Sequence, residues 1–283
     1  MKTARLVDVV VVSDVHLGTY GCKAKELLHY LKSIHPKILV LNGDVIDIWQ
    51  FSKRYWPKSH MKVVRYLLKL IANRTMVYYI PGNHDETLRR FAGFSMGSFH
   101  MRNKVVLHLP TGERAWIFHG DVFDVTMQYS KWLARLGAIG YDALIVINTA
   151  ANFCSQKFLG KGKISLSKKI KSSVKSAVKF INCFEEVAAE IGIERGYQYV
   201  VCGHIHHPEM RHITNHRGSI TYLNSGDWVE NLTALEFNKG IWTIYRYNED
   251  DFASIKEAEE TELELNNQEL FHALLREFKM TAA

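Results

Sequence analysis

The first eighty residues alternate between short apolar runs and segments with helical periodicity. Leu6 to Val12 is an almost unbroken β-branched run, which is typical of a buried strand. The pattern then predicts helices over Ala24–Ile34 and Met61–Ile71, and strands over Ile38–Leu41 and Met76–Ile80. Strands that alternate with helices indicate parallel pairing through right-handed crossovers.

The rest of the chain divides into a helical segment and several further strands. Lys104–Leu109 and Arg114–His119 flank a Pro-Thr-Gly turn and predict a hairpin. Residues 125–196 have almost no strand character, and strands resume afterwards at Tyr197–Cys202, Ile220–Leu223, Thr233–Phe237 and Gly240–Tyr247. We therefore expect an α/β fold, a layered β-sandwich flanked by helices. Its core would span 1–124 and 197–250, with a helical cap inserted at 125–196 and a helical tail at 251–283.

The charge of the chain favours anionic partners. The 283 residues carry a formal net charge of +7, with a pI near 9.1, which suits phosphates, nucleic acid or an acidic membrane surface, or simply a lysine-rich soluble surface. The four cysteines form no CxxC pair, which argues against a disulfide framework or a zinc-thiolate site. No signal peptide and no apolar run of about 18 residues is found, so we expect a cytoplasmic protein without a membrane span.

Five short polar clusters, most of them at the ends of predicted strands, occur in a fixed order. They are S-D-V-H at 13–16, G-D at 43–44, G-N-H-D at 82–85, H-G-D at 119–121 and G-H-I-H at 203–206. Together they supply seven metal ligands: Asp14, His16, Asp44, Asn83, His119, His204 and His206. Oxygen and imidazole without thiolate suit hard to borderline divalent ions, and seven ligands exceed one tetrahedral site. The clusters therefore predict a pair of ions where the strands end.

The ordered motifs D-x-H, G-D, G-N-H-D, H-G-D and G-H-x-H resemble the calcineurin-like metallophosphoesterase superfamily, from Val9 to about Asp227 apart from the cap. The resemblance assigns the first ion to Asp14, His16 and His206, the second to Asn83, His119 and His204, and the bridge to Asp44. A bridging carboxylate offsets the repulsion between ions about 4 Å apart. The implied activity is that of a metal-dependent phosphohydrolase, in which the ions activate a water for attack on phosphorus.

His84 is the one motif histidine without a ligand role in the superfamily scheme. There it faces the substrate, and we expect it to stabilise the transition state or to protonate the leaving oxygen. We expect Asp85 to act with it in catalysis by orienting His84. Asp47 or Asp121 would orient ligand histidines.

Within the superfamily, the chain resembles the UDP-2,3-diacylglucosamine pyrophosphatases of lipid A synthesis. The shared features are S-D-V-H-L-G at 13–18, G-D-x-x-D-x-W at 43–49, and a helical insertion directly after H-G-D. The resemblance implies cleavage of a UDP-linked diacyl sugar to UMP and diacylglucosamine 1-phosphate, at or near the inner membrane. It implies manganese as the usual metal, and the ligand set also tolerates iron or zinc.

The cap holds the acyl chains in those pyrophosphatases, and the insertion of this chain has suitable residues. Apolar residues at 143–151 would face acyl chains, and the lysines between 161 and 179 would meet the pyrophosphate or an anionic leaflet. A solvated lysine face over a buried apolar one explains the same pattern. Four side chains are candidate substrate contacts: Asp124, Tyr129, Lys168 and Lys171.

His84 also departs from the arginine that is common at this position in those pyrophosphatases. Histidine is typical of the wider superfamily, including nucleases and phosphodiesterases. The alternative function is therefore the same chemistry on another phosphodiester, a nucleotide or a nucleic acid, although the lysines concentrate in the cap and do not line a long strand path. A non-catalytic scaffold is a third interpretation, which the seven filled ligand positions disfavour.

Overall fold

The computed structural model describes residues 4–50, 55–123 and 184–248. Met1–Arg246 forms one compact unit and Tyr247–Ala283 a second, of which residues 247 and 248 are described. Most of the expected cap and all of the expected tail lie outside the described residues, so the domain boundaries stay predictions. Among the helices that the structure describes, none combines the length and the apolar character that crossing a bilayer requires.

The first half of the chain builds the larger of two sheets in the predicted alternation. Its elements are β1 (Arg5–Val12), α1 (Ala24–Lys32), β2 (Ile34–Asn42), α2 (Lys58–Ala72), β3 (Met76–Ile80), β4 (Ser95–Met96) and β5 (Phe99–Met101). A 3-10 helix at Glu86–Phe91 follows β3. Strands β1, β2 and β3 pair in parallel, as the sequence predicts, with α1 and α2 as crossovers.

The second half supplies the smaller sheet and two strands of the larger one. The strands are β6 (Val105–His108), β7 (Arg114–Ile117), β8 (Tyr199–Cys202), β9 (Glu209–Asn215), β10 (Gly218–Asn224), β11 (Thr233–Asn238) and β12 (Ile241–Arg246). The larger sheet has the order β12-β11-β1-β2-β3-β5-β4 and the smaller one β6-β7-β8-β10-β9. Two packed sheets with helices outside confirm the predicted layered α/β class.

One apolar layer holds the two sheets together. Val9 and Val40 of the larger sheet pack with Val201 and Leu223 of the smaller one. Because successive strand residues face opposite sides, Val200 joins a separate cluster beneath the helix at 184–194. The central strands are covered on both faces, and for this reason their sequences are continuous apolar runs.

Two element boundaries near β2 differ from the prediction. The helix expected to reach Ile34 ends at Lys32, because the backbone N–H of Ser33 closes the last turn. Ile34 already belongs to β2, and Pro36 lies inside that strand. Pro36 is tolerated there because this part of β2 pairs with β1, whereas pairing with β3 begins at Ile38.

Strand β9 was missed by the hydrophobic pattern. Its sequence E-M-R-H-I-T-N is polar at most positions, and its residues are exposed or half-buried. It pairs with β10 at the edge of the smaller sheet. An edge strand needs little apolar burial to form, so periodicity gives it no signal.

Candidate metal centre

The carboxyl ends of strands from both sheets converge on one site. Asp14 and Asp44 follow β1 and β2 of the larger sheet, while His119 and His204 follow β7 and β8 of the smaller one. The backbone N–H of His204 donates to Asp14 Oδ2 over 3.0 Å, which joins the two sheets at this point. The structure thus brings the predicted ligands together, and their role in binding metal stays a prediction.

Backbone strain is concentrated at these residues. Eight non-glycine residues in the described part of the chain have positive φ, and five of them are predicted ligands. The five are Asp14, His16, Asp44, His204 and His206, with φ between 53° and 69°. Left-handed backbone costs about 1–2 kcal/mol for such residues, and it persists where the surrounding fold imposes it. The strain indicates that these side chains are held in place for chemistry.

The first group comprises Asp14, His16 and His206, whose ligand atoms all lie within 4.8 Å of one another. His206 Nε2 is 3.3 Å from Asp14 Oδ1 and 3.4 Å from His16 Nε2. Asp14 is fully buried and His16 nearly so, whereas His206 is partly open to solvent. This is the set that the resemblance assigns to the first ion.

The second group comprises Asp44, His119 and His204, again with ligand atoms within 4.8 Å. His119 Nε2 lies 3.3 Å from Asp44 Oδ2. Asn83 belongs to the same cluster, because its Oδ1 is 3.1 Å from His204 Nδ1. The assignment to the second ion therefore joins residues that are neighbours in space.

Asp44 lies between the two groups, as a bridging ligand must. Besides its contact with His119, it forms a third cluster with His16 and His84. Burial opposes its ionisation, but the charges of His119 and His16 prevail and hold the pKa of Asp44 well below its usual range. An anionic carboxylate in this position suits two neighbouring cations.

Two buried polar atoms at the centre, Asp14 Oδ1 and His119 Nε2, make no hydrogen bond of good geometry, although each has an ion-pair atom 3.3 Å away. The other ring nitrogen of His119, Nδ1, lies 2.8 Å from the carbonyl oxygen of Asn42 and donates to it. Nε2 can therefore present its lone pair to a ligand. Leaving such atoms unsatisfied costs about 1–3 kcal/mol each, and a cation bound between them removes that cost. The residues present therefore fit divalent metal ions.

The histidine pKa values indicate how strongly this centre attracts positive charge. Burial lowers the pKa of His119, but the Asp44 carboxylate outweighs it and raises the pKa to about 10. Burial likewise opposes the charge of His206, yet Asp14 raises its pKa to about 9. Asp14 keeps a pKa of about 2 despite its burial, because His206 and His119 stabilise its charge. Protons or metal ions would satisfy the same electrostatic demand.

Asp47 lies behind both His84 and His16. Its Oδ2 is 2.8 Å from His84 Nδ1 and 3.3 Å from His16 Nδ1. Burial opposes ionisation of Asp47, but hydrogen bonds from the two histidines lower its pKa well below the usual range. The pKa of His84 is raised, because Asp47 and Asp44 outweigh the effect of burial. His84 is thereby oriented and favoured in its protonated form.

Asp85 does not orient His84, contrary to the expectation from the sequence. Its carboxylate accepts the Tyr79 hydroxyl at 2.5 Å and the backbone N–H groups of Gly82 at 2.6 Å and Val45 at 3.0 Å. Those bonds tie the loop after β3 to the loop after β2. The structure gives the orienting position to Asp47, which lies close in space through folding and not through sequence adjacency.

Asp121, which was expected to orient a ligand histidine, is hydrogen-bonded to an arginine instead. Its Oδ2 accepts a hydrogen bond from the Arg89 guanidinium at 2.6 Å, and the same nitrogen donates to the Pro81 carbonyl at 2.9 Å. Pro81 and Asp121 each lie two positions from a predicted ligand, Asn83 and His119. Arg89 therefore links the loops that carry Asn83 and His119, two members of the second group.

Two further residues contact the centre that were not among the predicted site residues, although Trp49 ends the motif at 43–49. The Trp49 ring centroid is 4.4 Å from that of His84, and the indole is half exposed, so it forms a wall beside the site. Asp227 Oδ2 lies 3.8 Å from His206 Nδ1, while Oδ1 accepts the backbone N–H of Val229 at 2.8 Å. Asp227 ends the Asn-Ser-Gly-Asp turn at 224–227, and it thus lies behind a predicted ligand histidine.

Comparison with known proteins agrees with this geometry. A family model described as calcineurin-like phosphoesterase matches residues 7–208. The chain belongs to the calcineurin-like phosphoesterase family. It is accordingly a metal-dependent phosphoesterase, a hydrolase, with candidate ligand groups in the described part of its fold.

Curated relatives match most of the chain at low identity. The UDP-2,3-diacylglucosamine hydrolase of Blochmanniella pennsylvanica is 23% identical over 249 residues, which cover 82% of this chain and 92% of the relative. The UDP-2,3-diacylglucosamine hydrolase of Aliivibrio fischeri is 22% identical over 244 residues, 84% of this chain and 98% of the relative. A solved structure of an archaeal phosphodiesterase matches with a TM-score of 0.41 and 12% identity, and covers 84% of this chain and 98% of that chain.

The remaining candidate site residues lie outside the described residues. They are the expected substrate contacts Asp124, Tyr129, Lys168 and Lys171. Their roles, like that of the cap, stay predictions.

Proposed function

We propose that this phosphoesterase is a dinuclear-metal pyrophosphatase that cleaves UDP-2,3-diacylglucosamine to UMP and diacylglucosamine 1-phosphate. The observation that carries the reaction class is the pair of unsatisfied buried atoms, Asp14 Oδ1 and His119 Nε2, within two adjoining groups of oxygen and imidazole ligands. The substrate is proposed from the two curated relatives, which match over more than four fifths of the chain.

Each group of side chains would hold one ion. Asp14, His16 and His206 would hold the first, Asn83, His119 and His204 the second, and Asp44 would contact both. When bound, the ions would supply a nucleophile at neutral pH and neutralise charge on the phosphoryl oxygens. Mn²⁺ is the metal we propose, and the donor set is also compatible with iron or zinc.

The residues of the chain itself would then position the substrate and deliver a proton. His84 reaches the centre through its cluster with Asp44 and His16, and its Nδ1 is held by Asp47. Its Nε2 would therefore point the remaining N–H at the oxygen that leaves phosphorus. The raised pKa of His84 keeps that proton in place until the P–O bond breaks.

One observation favours a second function, the hydrolysis of a phosphodiester with an alkoxide leaving group. The His84–Asp47 pair is a proton donor, and an alkoxide needs a proton more than the sugar phosphate released from a pyrophosphate does. Both functions would use the same metal centre. They differ in how much the leaving group needs the proton that His84 would donate.

A substrate panel separates these functions. Purified protein with Mn²⁺ would be assayed on UDP-2,3-diacylglucosamine, a cyclic nucleotide and single-stranded DNA at one metal concentration. We expect release of UMP from the first substrate with a kcat/KM at least about 100-fold above the others. A preference for either of the others would refute the lipid substrate but leave the reaction class intact.

A matched variant tests the centre itself. Asp44→Asn preserves the shape of the bridging side chain and removes its charge, so we expect loss of bound metal and a fall in kcat of about 1000-fold or more. Asp8→Asn changes a carboxylate that pairs with Lys37 far from the centre and serves as the control. Unchanged metal content in Asp44→Asn would overturn the bridging role.

A further inference from the structure

An apolar and cationic surface runs along the β4–β5 side of the larger sheet, away from the residues that form the centre. It consists of the exposed faces of α2 and of residues 90–104, and is here called the basic edge. Leu68 on α2 is 56% exposed, Phe94 just before β4 is 50% exposed, and Met96 in β4 is 59% exposed. Soluble proteins seldom leave large apolar side chains this open in a cluster unless the surface binds something.

The two parts of the basic edge are connected. The Ser98 hydroxyl, in the turn between β4 and β5, donates to the Ile71 carbonyl at the end of α2 over 2.9 Å. β4 is the last strand of its sheet in the described residues, so this side of the sheet is covered by no further described strand. The exposed apolar residues of the helix and the hairpin therefore belong to two elements that touch at this hydrogen bond.

Positive charge is interleaved with these apolar side chains. The Arg90 guanidinium carbon lies 4.8 Å from the centroid of the Phe91 ring, and Arg102 donates to the Phe94 carbonyl at 2.9 Å. On α2, Arg65 and Lys69 are exposed next to Leu68. The sequence has no Asp or Glu from 57 to 84 or from 87 to 112, although these stretches contain nine Lys and Arg residues.

We propose that the basic edge docks on an anionic lipid bilayer. Cations attract acidic headgroups, while Phe, Leu and Met side chains enter the boundary between headgroups and acyl chains. The phosphates of a nucleic acid could also pair with these cations. A nucleic acid would not bury Leu68, Met61 and Met96, however, because these side chains do not stack on bases. This inference does not depend on the proposed substrate, because it rests on a surface outside the metal centre.

Vesicle flotation of the full chain tests the proposal. The vesicles would contain either phosphatidylcholine alone or about three parts phosphatidylglycerol to seven of phosphatidylcholine. We expect the protein to float with the anionic vesicles and not with the neutral ones, and added salt should release it. Failure to bind anionic vesicles would overturn the proposal.

Two pairs of variants locate the binding surface. Arg65→Gln with Lys69→Gln should weaken anionic vesicle binding about fivefold per cation, and Phe94→Ser with Met96→Ser about tenfold. The control is Lys239→Gln with Ile241→Ser, because both side chains are exposed at the opposite edge of the same sheet. Equal binding by all variants and the wild type would overturn the proposal, since another part of the chain would then hold the membrane.

Two further measurements keep the result interpretable. Hydrolysis of a soluble phosphodiester should be unchanged in the basic-edge variants, which shows an intact fold and separates this test from that of the substrate. Binding of a fluorescent single-stranded oligonucleotide should also be unchanged. If oligonucleotide binding falls and vesicle binding does not, the surface binds nucleic acid and the bilayer proposal is refuted.

Discussion

The Asp47 carboxylate holds His84 through a 2.8 Å contact to Nδ1, and the same oxygen lies 3.3 Å from Nδ1 of His16. One buried acid thus fixes both a predicted metal ligand and the predicted proton donor. A shift of Asp47 would move both histidines together. One side chain therefore sets the position of His84 relative to His16.

A comparison of two leaving groups separates the contribution of His84 as a proton donor from that of His16 as a metal ligand. We expect His84→Asn to slow hydrolysis of an alkyl phosphodiester about 1000-fold, but that of bis-p-nitrophenyl phosphate only about tenfold, because p-nitrophenolate leaves without a proton. Asp47→Asn should show the same contrast with a smaller loss. The measurement is kcat on both substrates at saturating Mn²⁺, and equal losses on both would contradict proton donation by His84.

Metal binding should release protons. Without a cation, His119 and His206 have pKa values raised to about 10 and 9, so both carry a proton near neutral pH. A metal ion requires the neutral imidazoles, so affinity should rise as pH approaches these values and fall as pH drops. Calorimetric titration with Mn²⁺ in Tris and in HEPES should differ by the ionisation heat of roughly one to two protons. Identical heats in the two buffers would contradict the prediction.

Gly82→Ala should remove metal without unfolding the protein. A Cβ at Gly82 would lie 2.2 Å from Asp44 Oδ1 and 2.6 Å from His119 Nε2, so it would displace the bridging carboxylate and a ligand histidine. We expect about a 100-fold loss of Mn²⁺ affinity. Gly97→Ala is the control for backbone strain, because its φ of 58° disfavours alanine while its Cβ would meet nothing within 4 Å. Equal metal affinity in the two variants would argue against the centre as described.

The Arg89–Asp121 pair should influence the second group of ligands. Both side chains are mostly buried, and Arg89→Met removes the contacts to Asp121 and Pro81 together. We expect the free energy of unfolding to fall by about 1–2 kcal/mol and the second equivalent of Mn²⁺ to bind more weakly, while the first is retained. Arg217→Met, which breaks an exposed pair with Glu194, is the control. Equal weakening of both equivalents would indicate a general loss of stability.

The positions of the predicted ligands followed from sequence because parallel strands place their carboxyl ends at one edge. Asp14, Asp44 and Asn83 each follow a strand that the apolar pattern identified. Their positions directly after these strands were enough to predict that they lie close together. The partner of His84 was not predictable in this way. Asp85 is its neighbour in the chain, yet its carboxylate turns toward Tyr79 and the backbone, and Asp47 approaches from a different loop. Strand β9 was missed for a related reason, since its stability comes from pairing and not from an apolar face.

The centre takes Asp14 and Asp44 from one sheet and His119 and His204 from the other, and the apolar layer beneath sets the distance between these halves. Trimming a side chain in that layer, such as Val201 or Leu223, would let the sheets approach or slide. A survey of variants for altered metal affinity should therefore recover positions that touch no ligand. In this molecule the hydrophobic interior therefore sets the distance between the predicted ligands of one sheet and those of the other.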